Sequence, residues 1–143
     1  PISKKYLNIL IFKDFPNLLG LVNKFTYIQE EKLFFKAAFK NDDQNCLRDH
    51  DFQLITAFYT DQIESRTGKK ISPHLQFQLE MYCQGSIFMT VQWVLGYRKC
   101  TPEELARSLA GAMPAELSDV FREVGLYKPS LTYELPLTGG VTD

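Results

Sequence analysis

Apolar residues recur at intervals of three and four along nearly the whole chain, which is the spacing of one face of an α-helix. The first helical segment follows Asp14, Phe15 and Pro16. Asp14 can cap this helix, and Pro16 suits a first turn. Its predicted inward positions are Leu18, Leu21, Val22, Phe25, Ile28 and Gln29. The periodicity therefore predicts an all-α protein.

Two further helices follow before residue 67. The segment "EKLFFKAAFK" ends at the polar cluster Asn41–Asn45, which offers caps to the next element. Its predicted buried face is Leu33, Phe34, Ala37 and Ala38. The next helix is predicted from about Leu47 to Arg66, with Gly68 as a left-handed cap. Its apolar stripe is Phe52, Ile55, Tyr59 and Ile63.

A long helix is predicted from Ser72, its cap, and Pro73, in its first turn, to about Gly96. Its apolar positions occupy more than one face, so both sides need cover. Among them are Leu75, Phe77, Leu79, Met81, Tyr82, Phe88, Met89, Val91, Trp93 and Val94. Gly85 lies in the middle, where glycine costs about 1 kcal/mol relative to alanine. This cost suggests that something packs closely at Gly85.

The run "TPEE" predicts a capping box in which Thr101 caps the helix and Glu104 reaches back. This short helix lasts until about residues 111–113. Pro114 restarts a last helix, which Gly125 ends. We expect residues 1–126 to form one helical domain and residues 127–143 to form an extended tail.

The two apolar faces of the long helix predict a dimer. Earlier helices can cover one face, and a second copy covers the other most easily. Two antiparallel helix pairs, each the long helix and the helix from Thr101, would then meet as a four-helix bundle. The predicted interface residues are Gly85, Met89, Trp93, Leu105, Leu109 and Ala112. The alternative is that the last helix and the tail fold back and cover the surplus face.

Composition narrows the classes of function. The chain has 143 residues and a net charge of −1, which allows one core and gives no footprint for nucleic-acid binding by this chain itself. Three cysteines without CxxC spacing indicate reduced thiols in a reducing compartment, so we expect a cytoplasmic protein. No apolar stretch is long enough to span a membrane.

No motif points to catalysis or to metal binding. The chain contains no GxSxG, P-loop, HExxH or GxGxxG sequence. His50 lies between Asp49 and Asp51, and neighbours in sequence point to different sides of a helix. His74 is expected at the surface or at a pocket rim. We therefore expect no enzyme, no cofactor and no metal.

The stretch from Phe58 to Met113 resembles the C-terminal regulatory domain of TetR/AcrR-type bacterial transcriptional regulators. The similar branch includes the activators of dihydroxyacetone kinase operons. The matching elements, in order, are Phe58-Tyr59, the central Gly85, Trp93, the corner at Gly96 and the helix start from Thr101 to Ala106. The segment "EKLFFKAAFKNDD" resembles that branch's "N-R-x-F-F-x-x-L-L" helix, so the likeness covers about Ile28 to Met113.

The resemblance implies a regulatory domain of five to six helices and an N-terminal helix-turn-helix domain that reads operator DNA as a dimer. No such segment is recognisable in this chain, and Ile2–Phe12 would be the remnant of the connecting helix. Contact with DNA would then be made only through the missing domain. The chain would transmit effector or partner binding to it.

Regulators of this type usually hold a small apolar effector among the helices before the long one. Such pockets are apolar with a few orienting polar groups. The candidates here are Phe34, Phe35, Phe58, Tyr59, Gln62, Gln78, Tyr82 and Phe88. The alternative is that these rings are plain core. Related branches also answer to a protein coactivator, so a helical interaction module with a protein partner and no small ligand remains the second function.

Overall fold

The computed structural model describes residues 13–41 and 46–128, and its elements are all α-helices. In chain order the helices are α1 (Leu18–Glu30), α2 (Lys32–Lys40), α3 (Cys46–Thr67), α4 (Pro73–Leu95), α5 (Pro102–Gly111) and α6 (Ala115–Glu123). Within these two ranges no strand is formed, although an isolated parallel bridge joins Asn17 to Lys128. The predicted all-α fold is confirmed.

The predicted starts of α4 and α5 are confirmed. The Ser72 hydroxyl accepts a hydrogen bond from the Leu75 N–H at 3.1 Å. The Thr101 hydroxyl accepts from the Glu104 N–H at 3.1 Å, and the Glu104 carboxylate accepts from the Thr101 N–H at 2.8 Å. Two backbone donors at the start of α5 are thus satisfied reciprocally, as a capping box requires.

The predicted start of α1 is wrong by one turn. Lys13–Pro16 form a turn, and the Asn17 N–H donates to the Asp14 carbonyl at 2.7 Å. Asn17 is the cap, because its side-chain oxygen accepts from the Gly20 N–H at 3.1 Å. The Asp14 carboxylate instead lies 3.4 Å from the Lys24 ammonium. An added Cβ at Gly20 would stand 2.8 Å from Asp14 Cγ, so a larger residue there would have to displace the Asp14 side chain.

The predicted buried face of α2 is also wrong. Phe35 and Phe39, four residues apart, are the buried side chains of this helix. Leu33 is 85% exposed and Phe34 lies at the surface beside Phe35, with ring centroids 5.0 Å apart. Because α2 packs on α1 and α4 with only one narrow face, it cannot bury all of its apolar residues.

Helix α4 lies at the centre of the helical assembly. It packs against α2, α3 and α6, while α1 packs chiefly against α5. Buried aromatic rings join these layers at Phe15, Tyr59, Tyr82 and Phe121, with centroid separations of 5.0–5.7 Å. The core therefore covers one side of α4 from Leu79 to Val94.

Residues 126–128, the last described, pack against the helical domain. Leu126 and Tyr127 are half-buried against the core, and the Leu18 N–H donates to the Lys128 carbonyl at 2.8 Å. The predicted connecting-helix remnant, residues 2–12, and the tail from residue 129 lie outside the described residues. No helix in the described part is both long and apolar enough to cross a membrane.

Candidate dimer surface and effector cavities

Three of the predicted effector-pocket residues are ordinary core side chains. Phe35, Tyr59 and Tyr82 are buried. The Tyr59 hydroxyl accepts a hydrogen bond from the Phe15 N–H at 3.0 Å, and the Tyr82 hydroxyl donates to the Leu109 carbonyl at 2.5 Å. Burial raises the pKa of both phenols, so they stay neutral. Their polar atoms are used within the protein, which leaves them little to offer a ligand.

The other predicted pocket residues are scattered. Phe58 is half-buried with its ring edge-on to Tyr59. The Gln62 side chain accepts from Arg66 at 3.1 Å on the α3 surface. Gln78 donates to Glu116 at 3.0 Å, where α4 meets α6. Phe34 is exposed on α2 and Phe88 is exposed on α4. The eight predicted residues therefore do not line one cavity.

One face of α4 carries large apolar side chains that nothing in the described residues covers. Phe77, Met81 and Phe88 are 62%, 63% and 59% exposed. Their spacing of four and seven residues puts them on the same side of the helix, with Gly85 between them. We call Phe77, Met81, Gly85 and Phe88 the α4 stripe. The α6 helix packs on α4 but leaves the α4 stripe exposed, and the tail of the fold-back alternative lies outside the described residues.

A groove of about 360 Å³ runs beside the α4 stripe, between α4 and the end of α5. Its lining includes four of the predicted interface residues, Gly85, Met89, Leu109 and Ala112. The remaining lining consists of the apolar Phe77, Met81 and Pro114 together with Gln78, Tyr82 and Ser86. An added Cβ at Gly85 would meet no atom within 4 Å, so the protomer leaves open space there.

Trp93 and Leu105, which were predicted at the dimer interface, are instead buried within the protomer. They are only 8% and 2% exposed, and their own chain covers them. The Trp93 ring packs against Phe25 with centroids 5.8 Å apart, and its indole N–H donates to the Cys100 carbonyl at 2.8 Å. Leu105 is buried because α5 packs against α1. The apolar face of α5 is thus already used within the protomer.

A second cavity, of about 320 Å³, was not predicted. Its lining is Ile28, Gln29, Lys32, Trp93, Val94, Gly96, Arg98, Lys99 and Cys100. It lies where the end of α1 and the start of α2 meet the corner between α4 and α5. We call it the basic cavity. The signal in the sequence was the run "GYRKC" after Trp93, but nothing local indicated that α1 and α2 would close the other side.

An unusual titratable group lies in the core. Asp51 on α3 is 4% exposed, and its Oδ2 atom has no hydrogen-bond partner within residues 13–41 and 46–128. Burial raises the pKa of Asp51 to about 8, against the opposing attraction of Lys24. Burial likewise raises the pKa of the Cys83 thiol, and the charge of Asp51 raises it further. Cys83 is therefore a neutral side chain of the core.

The described part of the chain was also compared with the arrangement of side chains in metal sites. No three His, Cys, Asp or Glu side chains there come together as metal ligands would. His50 is exposed, and His74 contacts Glu116 at 3.1 Å at the surface.

Comparison with known proteins identifies the family. A family model of the TetR group, described as the transcriptional regulator C-terminal region, matches residues 18–114. The match spans α1 to α5 and both candidate surfaces. No curated protein and no solved structure shows a significant match. The chain belongs to the TetR family of transcriptional regulators and carries the C-terminal, regulatory region of that family.

Proposed function

We propose that this domain dimerises and senses an effector in a bacterial one-component transcriptional regulator. A second copy covers the α4 stripe, and binding of a small effector or of a protein coactivator is transmitted to a DNA-binding domain. Family membership supports the regulatory role. The observation that carries the dimer is the exposure of Phe77, Met81 and Phe88 on one face of α4.

Burial of apolar surface on α4 would favour the dimer. Full burial of one Leu, Met or Phe side chain is worth about 1.5–3 kcal/mol. Three such side chains on one helix face therefore favour association if one partner covers them together. A two-fold axis lets the same stripe serve both subunits. Gly85 suits this arrangement, because its missing Cβ allows the partner's helix to approach the backbone.

Transmission follows from a shift of populations between two dimer arrangements. An effector that binds one arrangement more tightly increases the fraction of dimers in that arrangement. A dimeric DNA reader contacts two half-sites whose separation is fixed by the DNA helical repeat. A change in the relative placement of two α4 helices would alter the separation of the two reading heads and hence the affinity for operator DNA.

Acidic substitutions in the stripe test this proposal. Met81→Glu and Phe88→Glu place a charge in the proposed interface, and both side chains are exposed in the protomer. We expect each variant to elute as a monomer with an unchanged helical circular dichroism spectrum, while the wild type elutes as a dimer. Light scattering on the eluting peak gives the masses directly.

The control is Leu33→Glu on α2, which changes an apolar residue outside the stripe that is even more exposed than Met81 and Phe88. This variant should remain dimeric. Loss of the dimer in Leu33→Glu as well would contradict the placement of the interface. A monomeric wild type that binds another protein through the same stripe would favour the interaction-module alternative.

A further inference from the structure

The basic cavity combines a charged side with an apolar side. Lys32 comes from the start of α2, and Arg98 and Lys99 come from the corner after α4. None of these three forms an ion pair within the described ranges, and no acidic side chain lines the cavity. Cations that line one cavity without a counter-charge repel one another and attract an anion.

Another part of the cavity lining is apolar and belongs to the core. Ile28, Trp93 and Val94 are buried core residues whose edges reach the cavity. The Trp93 indole N–H is already bonded to the Cys100 carbonyl, so the ring offers the cavity apolar surface and no donor. Small-molecule sites typically combine apolar walls with a few placed polar groups.

The backbone holds the charged rim in place. Gly96 adopts a left-handed conformation with φ of 92° and ends α4. The N–H groups of Tyr97 and Arg98 both donate to the Gln92 carbonyl, at 2.9 and 3.3 Å. This corner positions Arg98 and Lys99 beside the end of α1. Less ordering of the protein is then needed when a ligand binds.

We propose that the basic cavity binds a small organic carboxylate with an apolar body. The carboxylate would contact Arg98 with Lys32 and Lys99, and the body would lie against Ile28, Trp93 and Val94. A volume of about 320 Å³ is at the small end of ligand sites, which favours compact molecules.

The assignment of this cavity as the effector site rests on the proposed function. Trp93 and Val94 lie near the end of α4, the helix that carries the α4 stripe. A carboxylate that links the α1–α2 corner to the α4–α5 corner would favour one placement of α4 and therefore one arrangement of the dimer.

Trp93 provides the readout, because it is the only tryptophan of the chain. Benzoate and octanoate are titrated against the protein, each beside its uncharged amide, benzamide or octanamide, and Trp93 emission is recorded. We expect saturable changes in emission with the carboxylates and much weaker binding of the amides. Inorganic phosphate, which lacks an apolar body, should bind more weakly than either carboxylate.

Substitutions that each remove one positive charge test where the carboxylate binds. Arg98→Gln and Lys32→Gln should each raise the carboxylate Kd about tenfold, as expected for loss of one charge-assisted hydrogen bond. Lys69→Gln is the control, because it removes the same charge from the exposed loop between α3 and α4. Its Kd should match that of the wild type, and circular dichroism checks that each variant is folded.

Each contrary result overturns the inference. Absence of binding by both carboxylates, equal binding of the amides, or an equal loss in Lys69→Gln would each do so. The proposed dimer is tested separately, by the light-scattering masses. Carboxylate binding by a chain that never dimerises would support the ligand site and contradict its coupling to the α4 stripe.

Discussion

The Tyr59 hydroxyl on α3 accepts a hydrogen bond from the Phe15 backbone N–H at 3.0 Å, and the two rings stack with centroids 5.7 Å apart. This contact fastens the turn that precedes α1 to the middle of α3, across 44 residues of sequence. A buried backbone donor is thus satisfied by a side chain from a distant helix.

Tyr59→Phe should lower the free energy of unfolding by about 1–2 kcal/mol, because the Phe15 N–H loses a buried acceptor while the ring packing is kept. Urea denaturation followed by circular dichroism measures the change. Tyr97→Phe, at an exposed position, is the control and should be neutral. Equal stability of Tyr59→Phe and the wild type would mean that this hydrogen bond contributes nothing net.

Thr101→Ala should destabilise the domain by about 1 kcal/mol, the usual effect of removing a helix cap. The loss leaves the Glu104 N–H without its acceptor at the start of α5. Thermal unfolding gives the readout, and Ser108→Ala on the exposed side of the same helix is the control. A lower melting temperature in Ser108→Ala than in Thr101→Ala would be inconsistent with the capping box.

Titration of Asp51 should lower the free energy of unfolding as the pH rises. Its pKa is about 8 in the folded protein against 3.8 for an ordinary aspartate. Between these values the native state binds more protons than the unfolded chain. The free energy of unfolding should therefore drop by about 1.4 kcal/mol for each pH unit from roughly pH 5 to pH 7, from this group alone.

Asp51→Asn should remove that dependence and raise stability most at the higher pH, because no charge is then buried. Urea unfolding at several pH values measures it. Asp61→Asn, on the exposed side of the same helix, should leave the slope unchanged. An identical slope in the wild type and in Asp51→Asn would show that Asp51 does not titrate in this range.

Gly85→Ala should affect the folding of the protomer and the stability of the dimer in opposite directions. In the protomer an added methyl group meets no atom within 4 Å, so alanine should stabilise the α4 helix by about 0.5–1 kcal/mol. If a second α4 approaches at this point, the same methyl group should raise the dimer dissociation constant. Gly111→Ala, also in open space, should change folding stability without weakening the dimer.

Local signals predicted much of the fold. The Ser72 and Thr101 caps and the left-handed Gly68, Gly96 and Gly125 act within a few residues, so the chain itself displays them. The two apolar faces of α4 could be predicted for the same reason. The buried face of α2 could not be predicted, because Leu33, Phe34, Phe35 and Phe39 allow more than one apolar side. Tertiary packing selects among these sides.

The candidate sites depended on contacts between distant segments, and sequence alone predicted them poorly. Aromatic residues spaced as in an effector pocket are also spaced as in a core, and Tyr59 and Tyr82 turned out to be core. The basic cavity brings together Lys32 and Arg98, which lie far apart in the sequence. Neither segment alone carries a pattern that indicates a site.

The proposed dimer requires that a second copy of the chain covers the α4 stripe. Sedimentation velocity of the wild type at micromolar concentration, with oxidative footprinting of Met81 on the same sample, tests it most directly. We expect a particle of twice the 16.5 kDa chain mass, with Met81 protected and becoming reactive on dilution. A single 16.5 kDa species with a freely oxidised Met81 at every concentration would contradict it.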